Sequence, residues 1–341
     1  MIFIKKKPVL IPLLLLLLFL AVFISLTLGR YPITLDEIYD FIAALLSGQG
    51  QAGCQKFHIL KNIFIDIRLP RIVAAMLVGA SLSVSGAAFQ SMFINPLVSP
   101  GLLGVLAGAS FGAALGMIVA STWLAVQICS VTCGLAAVGA AMGMAKLYRG
   151  DRLLMMILGG IISGALFTSL LSVVKYLADP YDQLPAIVYW LMGGFSTVDT
   201  KTVWAVCIPM GLGIATLISL ANYLNVLSMG DEEARCLGVN VRIIRILLIF
   251  PATLISALTV ALGGIIGWVG LVIPHIARML VGPDNRKLLP VSAIVGALYL
   301  LVVDDISRLV FTVEIPIGIL TSLVGIPFFA LVLGKSRKGW N

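Results

Sequence analysis

The sequence predicts an all-α polytopic membrane protein with about ten transmembrane helices, and three observations support this fold class. Hydrophobic residues make up 60% of the 341 residues, whereas charged residues make up only 11%. The mean hydropathy is strongly apolar, at +1.10. Apolar runs of about 18 residues or more recur along the chain, and helices satisfy their own backbone hydrogen bonds in lipid. We therefore expect residues 1–341 to form a single transmembrane domain.

The first apolar run has the length of a membrane span. It extends from Pro8 to Leu28 and follows Lys5, Lys6 and Lys7. A secretory signal would have a shorter apolar core of about 7–15 residues, followed by a small-residue cleavage site. We therefore expect an uncleaved first helix.

Nine further apolar runs follow, most of them near the ~20 residues that a helix needs to cross the bilayer. They are Arg71–Ser91, Gly101–Ala120, Trp123–Ala145, Arg152–Tyr176, Val203–Leu224, Ile243–Leu262, Gly263–Val281, Leu289–Val303 and Ile315–Leu333. The run that begins at Leu289 is the shortest. Residues 30–70 are expected to form an outer loop.

Lysine and arginine are distributed unevenly between the two sides that ten crossings define. With a cytoplasmic N-terminus, fifteen of the 23 basic residues fall on the inner side. Cytoplasmic loops carry such an excess, so both termini are predicted to be cytoplasmic. The same bias accounts for the net charge of +8, and no nucleic-acid partner is needed to explain it.

The predicted spans contain few ionisable residues, which bears on the energy source of any transport. Ion-coupled carriers need such groups near the bilayer midplane, where they usually mark the pathway. The chain also lacks a Gly-rich phosphate-binding loop that ends in Lys-Ser or Lys-Thr. A separate nucleotide-hydrolysing subunit is therefore the favoured energy source, and an ion-coupled secondary transporter is the alternative.

Neither a metal site nor an enzymatic site is predicted. Cys129 and Cys133 are four residues apart, but no third or fourth ligand lies near them in sequence. His275 has no second histidine in reach. A membrane-embedded enzyme would need a cluster of Asp, His or Cys at one depth of the membrane. The sequence offers only two adjacent aspartates, Asp304 and Asp305, at the end of a predicted span. We expect Asp304 to reach the outer surface from there.

The most polar inner segment is SMGDEEARCLGVNVR, residues 228–242, within a predicted cytoplasmic loop at 225–242. Gly230 and Gly238 are expected to bound a short helix from Asp231 to Leu237. Asp231 would be the N-cap of this helix, with acidic residues at its positive end. An ordinary solvated loop is the alternative.

This short helix would give an inner partner a surface to contact. Ala234 and Leu237 are three residues apart, so they would form a small apolar face. The candidate contact residues are Gly230, Asp231, Glu232, Glu233, Ala234, Arg235, Leu237 and Gly238.

Six motifs together give the chain a family resemblance. They are RLPR (68–71), GAAFQSMFINPLVSPGLLGVLAGAS (86–110), YWLMGGFSTVD (189–199), MGDEEARCLGVNV (229–241), GWVGLVIPHIAR (267–278) and EIPIGILTSLVGIPFF (314–329). In this order they resemble the FecCD-type permease subunits of ABC importers for iron–siderophore, haem and vitamin B12. The resemblance covers nearly the whole chain after the first span.

The resemblance implies partners, cargo and location. It implies a homodimeric channel in the cytoplasmic (inner) membrane of a prokaryote, with two ATP-binding cassette subunits and an extracytoplasmic substrate-binding protein. ATP and Mg²⁺ would bind to the ATPase, so this chain itself would hold no cofactor or metal and would not be an enzyme. A metal chelate, most simply an iron–siderophore, is the expected cargo; haem and cobalamin use the same scaffold, and some relatives carry oxyanions.

The resemblance also implies roles for individual residues at the outer face. Arg68, Arg71 and Arg308 resemble the arginines that receive carboxylates of the binding protein. Pro70 would favour an extended Leu69 and start the second span, which would lift Arg68 and Arg71 to the surface. Anchoring in lipid headgroups is the alternative.

Pathway and gate residues are expected in three places. Gln90, Asn95 and Pro96 would line the inner end of the pathway, although interhelical hydrogen bonding explains the amides equally well. Tyr189, Trp190 and Met192 would form an apolar outer wall on a half-helix, with interfacial anchoring as the alternative. The last set, which lies where relatives close the pathway, is Arg149, Gly150 and Asp151. Relatives carry small hydroxyl residues at that place, so this sequence departs from their pattern.

Overall fold

A computed structural model describes residues 9–29, 31, 34, 36–39, 43, 55–120, 122–148, 152–310 and 312–336. Every regular element in this part of the chain is helical, which confirms the all-α fold class. The α-helices are α1 (Leu10–Thr27), α2 (Gln55–Lys61), α3 (Leu69–Met92), α4 (Val105–Val119), α5 (Trp123–Leu147), α6 (Arg152–Leu177), α7 (Gln183–Leu191), α8 (Thr200–Ser219), α9 (Ala221–Leu227), α10 (Asp231–Cys236), α11 (Val241–Gly263), α12 (Val269–Val281), α13 (Asn285–Leu309) and α14 (Ile317–Ser336).

An apolar helix lies at each of the ten predicted spans. Seven of them, among the described residues, have both the length and the hydropathy to cross a membrane. The other three are shorter, at Val105–Val119, Val269–Val281 and Ile317–Val332. The number of crossings therefore remains a prediction.

The predicted and observed ends differ most, by up to six residues, for two spans. The helix expected at Leu289–Val303 is α13, which has 25 residues and continues through two aspartates. The span expected at Gly263–Val281 is α12, which has only 13 residues. Its start is displaced because Gly264 (φ 69°) and Trp268 (φ 66°) hold left-handed backbone conformations that interrupt a helix.

The predicted outer loop at residues 30–70 is partly helical. Helix α2 and a π-helical segment, Asn62–Arg68, lead without a break into α3. Leu69 has helical dihedral angles (φ −60°, ψ −48°), so the expectation of an extended residue before Pro70 is wrong. The π-helical segment is an irregular turn of the kind that accommodates such positions inside a long helix.

Helix α3 lies at the centre of the molecule, and most of its residues are buried. It packs against α8, α11, α12 and α13. A Cβ atom on Gly79 would lie 2.1 Å from the carbonyl oxygen of Gly296 in α13. One on Gly86 would lie 2.0 Å from that of Gly270 in α12. Glycine therefore allows three helix backbones to pack in direct contact.

Candidate functional site

The inner segment that was predicted to contact a partner folds as a short helix between two glycines; residues 230–238 are called the coupling segment below. Gly230 (φ 125°) and Gly238 (φ 77°) both have positive φ angles that strain any other residue. At the C-terminal end of α10, the Val239 N–H donates to the Ala234 carbonyl oxygen at 3.0 Å. The Gly238 N–H donates to the Arg235 carbonyl oxygen at 2.9 Å. These two bonds form a Schellman motif, which fixes the end of the helix.

Asp231 holds the coupling segment against α11. Gly230 occupies the N-cap position, so the predicted N-cap role of Asp231 is wrong. The Asp231 carboxylate instead accepts hydrogen bonds from both terminal nitrogens of Arg245, at 2.9 and 2.5 Å. The Arg245 side chain is 3% exposed and the Asp231 side chain 25% exposed. A bidentate pair of this kind fixes orientation as well as distance, so α10 is tied to the first turns of α11.

The two apolar residues of the coupling segment point in opposite directions. Ala234 is fully buried in the main apolar core, whereas Leu237 is 61% exposed. The predicted apolar face formed by these two residues is therefore wrong. Glu232, Glu233 and Arg235 are exposed beside Leu237 and Cys236, so the outward surface is mainly charged.

Six charged residues meet at the other end of the molecule, and we call them the outer ion cluster: Arg68, Arg71, Arg308, Asp304, Asp305 and Glu314. The side chain of Asp304 is completely buried. The Arg71 Nε donates to its two carboxylate oxygens at 3.0 Å, and the Arg71 Nη2 donates at 2.8 Å. The Arg71 Nη1 also donates to Glu314 at 3.1 Å. Arg71 thus joins α3 to α13 and to the segment that precedes α14.

Arg308 and Arg68 join the end of α1 to the same cluster. Arg308 pairs with Asp305, and its Nη2 donates to the hydroxyl of Ser25 at 2.6 Å. Arg68 donates to the carbonyl oxygens of Thr27 at 3.1 Å and Tyr31 at 2.8 Å. Three cations and three anions balance one another, so the cluster has no net charge.

The burial of these residues corrects two expectations. Arg68 is 4% exposed and Arg308 8% exposed, and the Arg71 side chain is 11% exposed. The expectation that Arg68 and Arg71 are lifted to the surface is wrong, because carboxylates and carbonyl groups of the same chain hold them inside. Asp304 does not reach the surface either, since it is needed to neutralise Arg71. Docking of a binding protein at these arginines remains a prediction.

The amides expected near the pathway make bonds within the chain. Gln90 is 2% exposed; its Nε2 donates to the Gly270 carbonyl oxygen at 3.2 Å, and its Oε1 accepts from Arg278 at 2.5 Å. These bonds support the interhelical alternative for Gln90. The Asn95 Oδ1 accepts from the backbone N–H of Leu97 at 2.9 Å, which stabilises the turn that contains the exposed Pro96.

Helix α7 borders a cavity of about 340 Å³. Tyr189 and Trp190 line this cavity, together with Arg71 and Glu314 of the outer ion cluster. Met192 follows the helix and is 42% exposed. The short helix was expected, but its proximity to the ion cluster was not. The expected gate residues Arg149, Gly150 and Asp151 lie outside the described residues.

An amide network near the inner end was not predicted. The Oδ1 of Asn225 in α9 accepts from the backbone N–H and the Nδ2 of Asn285, at 2.8 and 2.9 Å. The hydroxyl of Ser91 in α3 donates to the Asn285 Oδ1 at 2.7 Å. Asn225 also donates to Asp284 at 2.8 Å, and this bond and the backbone N–H of Arg286 hold the pKa of the Asp284 carboxyl below its ordinary value. No local pattern marks these side chains, because the bonds between them join residues 59 to 194 positions apart.

Comparisons with known proteins agree on one family. The model of the FecCD transport family matches residues 16–335. The molybdate import system permease protein MolB of Haemophilus influenzae is 38% identical over 324 residues, which cover 95% of each chain. A probable iron chelatin transport system permease protein of Helicobacter pylori is 37% identical over 285 residues, 83% of this chain and 86% of that one. A solved metal-chelate type ABC transporter in an inward-facing conformation superposes with a TM-score of 0.85 at 37% identity, covering 96% of this chain and 100% of that one.

Proposed function

Since this chain belongs to the FecCD transport family, we propose that it is the permease through which an ATP-driven importer moves a metal chelate, with an iron–siderophore as the first candidate cargo. The general role, that of a permease subunit, follows from the family itself. The chain is a multi-pass permease subunit of an ABC importer and is not an enzyme. Family membership also favours ATP as the energy source over an ion gradient.

The coupling segment is the proposed contact for two ATP-binding cassette subunits, one on each copy of the permease. Its geometry is the observation that carries this proposal. Two glycines and the Asp231–Arg245 pair hold a charged helix of six residues at the protein surface. A rigid surface of this kind transmits the movement of a bound partner to the rest of the protein more completely than a mobile loop does. ATP and Mg²⁺ would bind to those subunits.

A second copy of the chain is proposed to pack beside α6 and enclose the pathway. This helix exposes Leu158 and Ile162, as a lipid-facing helix does. It also exposes Thr168 and Ser172, whose hydroxyls bond to carbonyl groups of their own helix at 2.8 and 3.1 Å. Hydroxyl-bearing residues on a helix surface can also bond across a helix contact, so this stripe is the proposed contact face. The proposed pathway and gate residues are Asn95, Pro96, Arg149, Gly150, Asp151, Tyr189, Trp190 and Met192, whereas the bonds of Gln90 favour its interhelical role.

An extracytoplasmic substrate-binding protein is proposed to dock at the outer ion cluster, through Arg68, Arg71 and Arg308. Glu314 is 27% exposed and makes a single bond to Arg71, whereas Asp304 is fully buried. An acidic group of the binding protein would therefore compete with Glu314 for Arg71.

Molybdate is the second candidate cargo. The relative from Haemophilus influenzae, which is named for molybdate import, aligns with 95% of this chain at 38% identity. Uptake by proteoliposomes that contain the permease, its ATPase and its binding protein separates the two cargoes. Uptake of a ferric siderophore but not of molybdate supports the first proposal, and the reverse result replaces it with the second.

The mass of the purified complex tests the ATPase contact. The permease is co-expressed with its ATPase as the wild type and as a variant with a Gly/Ser linker in place of residues 231–238. A control variant replaces the exposed turn at residues 179–182, between α6 and α7, with a Gly/Ser linker of the same length as that turn. We expect the wild type and the control to give assemblies of two permeases and two ATPases, and the coupling variant to give none. Failure of the wild type to bind an ATPase contradicts the proposed function.

A further inference from the structure

We propose that Asn285, held between Ser91 and Asn225, is a positioning residue that couples movement of the coupling segment to the helices at the centre of the permease. This inference rests on the proposed function, because it requires an ATPase to act on the coupling segment. The residues themselves touch neither nucleotide nor cargo. They would determine how much transport results from each ATP hydrolysed.

The centre of the network is buried, and Asn285 bonds to both of its partners through its side chain. Asn285 is 1% exposed and Ser91 8% exposed. The backbone N–H and the Nδ2 of Asn285 both donate to the Asn225 Oδ1, and its own Oδ1 accepts from Ser91 at 2.7 Å. A buried amide whose oxygen and nitrogen both have partners favours one orientation, because exchanging the two atoms would lose these bonds at a free-energy cost. The network therefore favours one arrangement of α3, α9 and α13.

The position of Asn225 gives the network its role. Asn225 lies in α9, whose last residue, Leu227, comes three residues before Gly230, the first residue of the coupling segment. Leu224 and Leu227 of α9 are fully buried, in the same apolar core as Ala234 of α10. A displacement of α10 is therefore transmitted to α9, and from Asn225 to α3 and α13.

Helices α3 and α13 can carry that displacement to the outer end. Their backbones are in contact at Gly79 and Gly296. Near their outer ends Arg71 and Asp304 join them again, with hydrogen bonds of 2.8 to 3.0 Å. Packed helices of this kind move as one body rather than bending independently. The inner amide network and the outer ion cluster thus lie at two ends of one rigid pair.

The ratio of ATP hydrolysed to cargo moved tests the inference. Ser91→Ala and Asn225→Ala break the network, whereas Ser91→Thr keeps a hydroxyl at the same position. Ser110→Ala is the matched control, since Ser110 is also a buried serine but lies in α4, outside the three helices that the network joins. All variants are measured in the complete complex with its ATPase and binding protein, reconstituted in liposomes.

We expect Ser91→Ala and Asn225→Ala to raise the ratio at least three-fold while the two-plus-two assembly keeps its mass. Ser91→Thr should restore much of the wild-type ratio, which a general loss of stability would not explain, and Ser110→Ala should leave the ratio unchanged. An intact assembly with a wild-type ratio in Ser91→Ala and Asn225→Ala overturns the inference but leaves the proposed function standing. A wild-type chain that binds no ATPase overturns both.

Discussion

The stability of the outer ion cluster depends on individual carboxylates, because each one neutralises a neighbouring arginine. Each carboxylate there has a guanidinium partner, and the most buried one, Asp304, lies near two, Arg71 at 2.8 Å and Arg308 at 3.8 Å. Removal of one member of a buried ion pair leaves the other charge without compensation. The loss of stability on replacing a carboxylate should therefore depend on how deeply that carboxylate is buried rather than on how many contacts it makes.

Asp304→Asn should destabilise the protein by about 3 kcal/mol, since it leaves Arg71 with a single anionic partner in a buried position. Glu314→Gln is the matched comparison because this carboxylate is 27% exposed and makes one bond to the same arginine. Its removal should cost about 1 kcal/mol or less. Thermal unfolding of the purified protein in detergent measures both. Equal losses in the two variants would contradict a structural role for the buried pair.

The two glycines of the coupling segment should differ in their tolerance of alanine. At Gly238, no atom lies within 4 Å of an added Cβ, so alanine costs only the strain of φ 77°, about 1–2 kcal/mol. At Gly230, φ is 125° and ψ 160°, a backbone conformation that only glycine readily adopts; the Glu233 carboxylate, 2.2 Å from an added Cβ, could rotate away. Gly230→Ala should therefore weaken binding of the ATPase more than Gly238→Ala, as measured by the yield of the complex at increasing salt. The opposite order would show that the N-terminal end of α10 is not part of the contact.

At the scale of whole helices, apolar length predicted where the elements lie but not where they end. The ten runs were recognised because a span must bury about 20 consecutive residues in hydrocarbon. The start of α12 was missed because it depends on the backbone at Gly264 and Trp268. The end of α13 was missed because Asp304 and Asp305 suggested a boundary. Their charges are tolerated inside the helix only because Arg71 and Arg308 lie beside them.

The contact between α3 and α13 should tolerate no side chain at its closest point. Alanine at Gly79 would place a methyl group 2.1 Å from the backbone oxygen of Gly296, which cannot rotate away. The helices must then separate, and we expect a loss of about 1–3 kcal/mol in thermal unfolding. Gly139→Ala in α5 is the control, because no atom lies within 4 Å of an added Cβ. That variant should be neutral or stabilised by up to about 1 kcal/mol. A neutral Gly79→Ala would refute the close contact.

The start of α13 should show a pH-dependent cap. The Asp284 carboxylate accepts hydrogen bonds from the Arg286 N–H at 3.1 Å and from Asn225 at 2.8 Å, and its pKa is lowered in the folded state. Its contribution is therefore present above the ordinary aspartate pKa of about 4 and is lost as the pH falls through the lowered value. Asp284→Ala should cost about 1 kcal/mol at pH 7, and Asp284→Asn less, because it keeps an acceptor. The difference between wild type and Asp284→Asn should vanish in acid; a difference that persists to pH 2 would contradict this account.

Across the whole molecule, the candidate sites divide into those that local sequence reveals and those that depend on folding. The coupling segment was found because two glycines bound a charged stretch in an apolar chain, and its helix ends within one residue of the prediction. The outer ion cluster was predicted in part: its arginines were singled out, but the acidic partners of Arg71 lie 233 and 243 positions away. Motifs predict which surface takes part in a function, whereas the bonds that hold that surface require the three-dimensional structure.

The orientation of the chain in the membrane is the prediction on which the others depend, and cysteine labelling can test it. Cys236 in the coupling segment is exposed, whereas Cys129, Cys133 and Cys207 are partly buried in helices. Cys54 lies in the predicted outer loop, outside the described residues. Cys54→Ser therefore removes the thiol that is expected to face outward and leaves Cys236 as the accessible one among the described residues.

With both termini in the cytoplasm, a membrane-impermeant maleimide should leave Cys54→Ser unlabelled in intact spheroplasts and label it in inverted vesicles. The double variant Cys54→Ser/Cys236→Ala should be unlabelled in both, which assigns the signal to Cys236. Bound ATPase should protect Cys236 in inverted vesicles, because the subunit is proposed to cover the coupling segment. Labelling of Cys54→Ser from the outside, lost in the double variant, would place the coupling segment on the wrong side of the membrane for ATP. The amide network of Ser91, Asn225 and Asn285 would then have no ATPase movement to transmit.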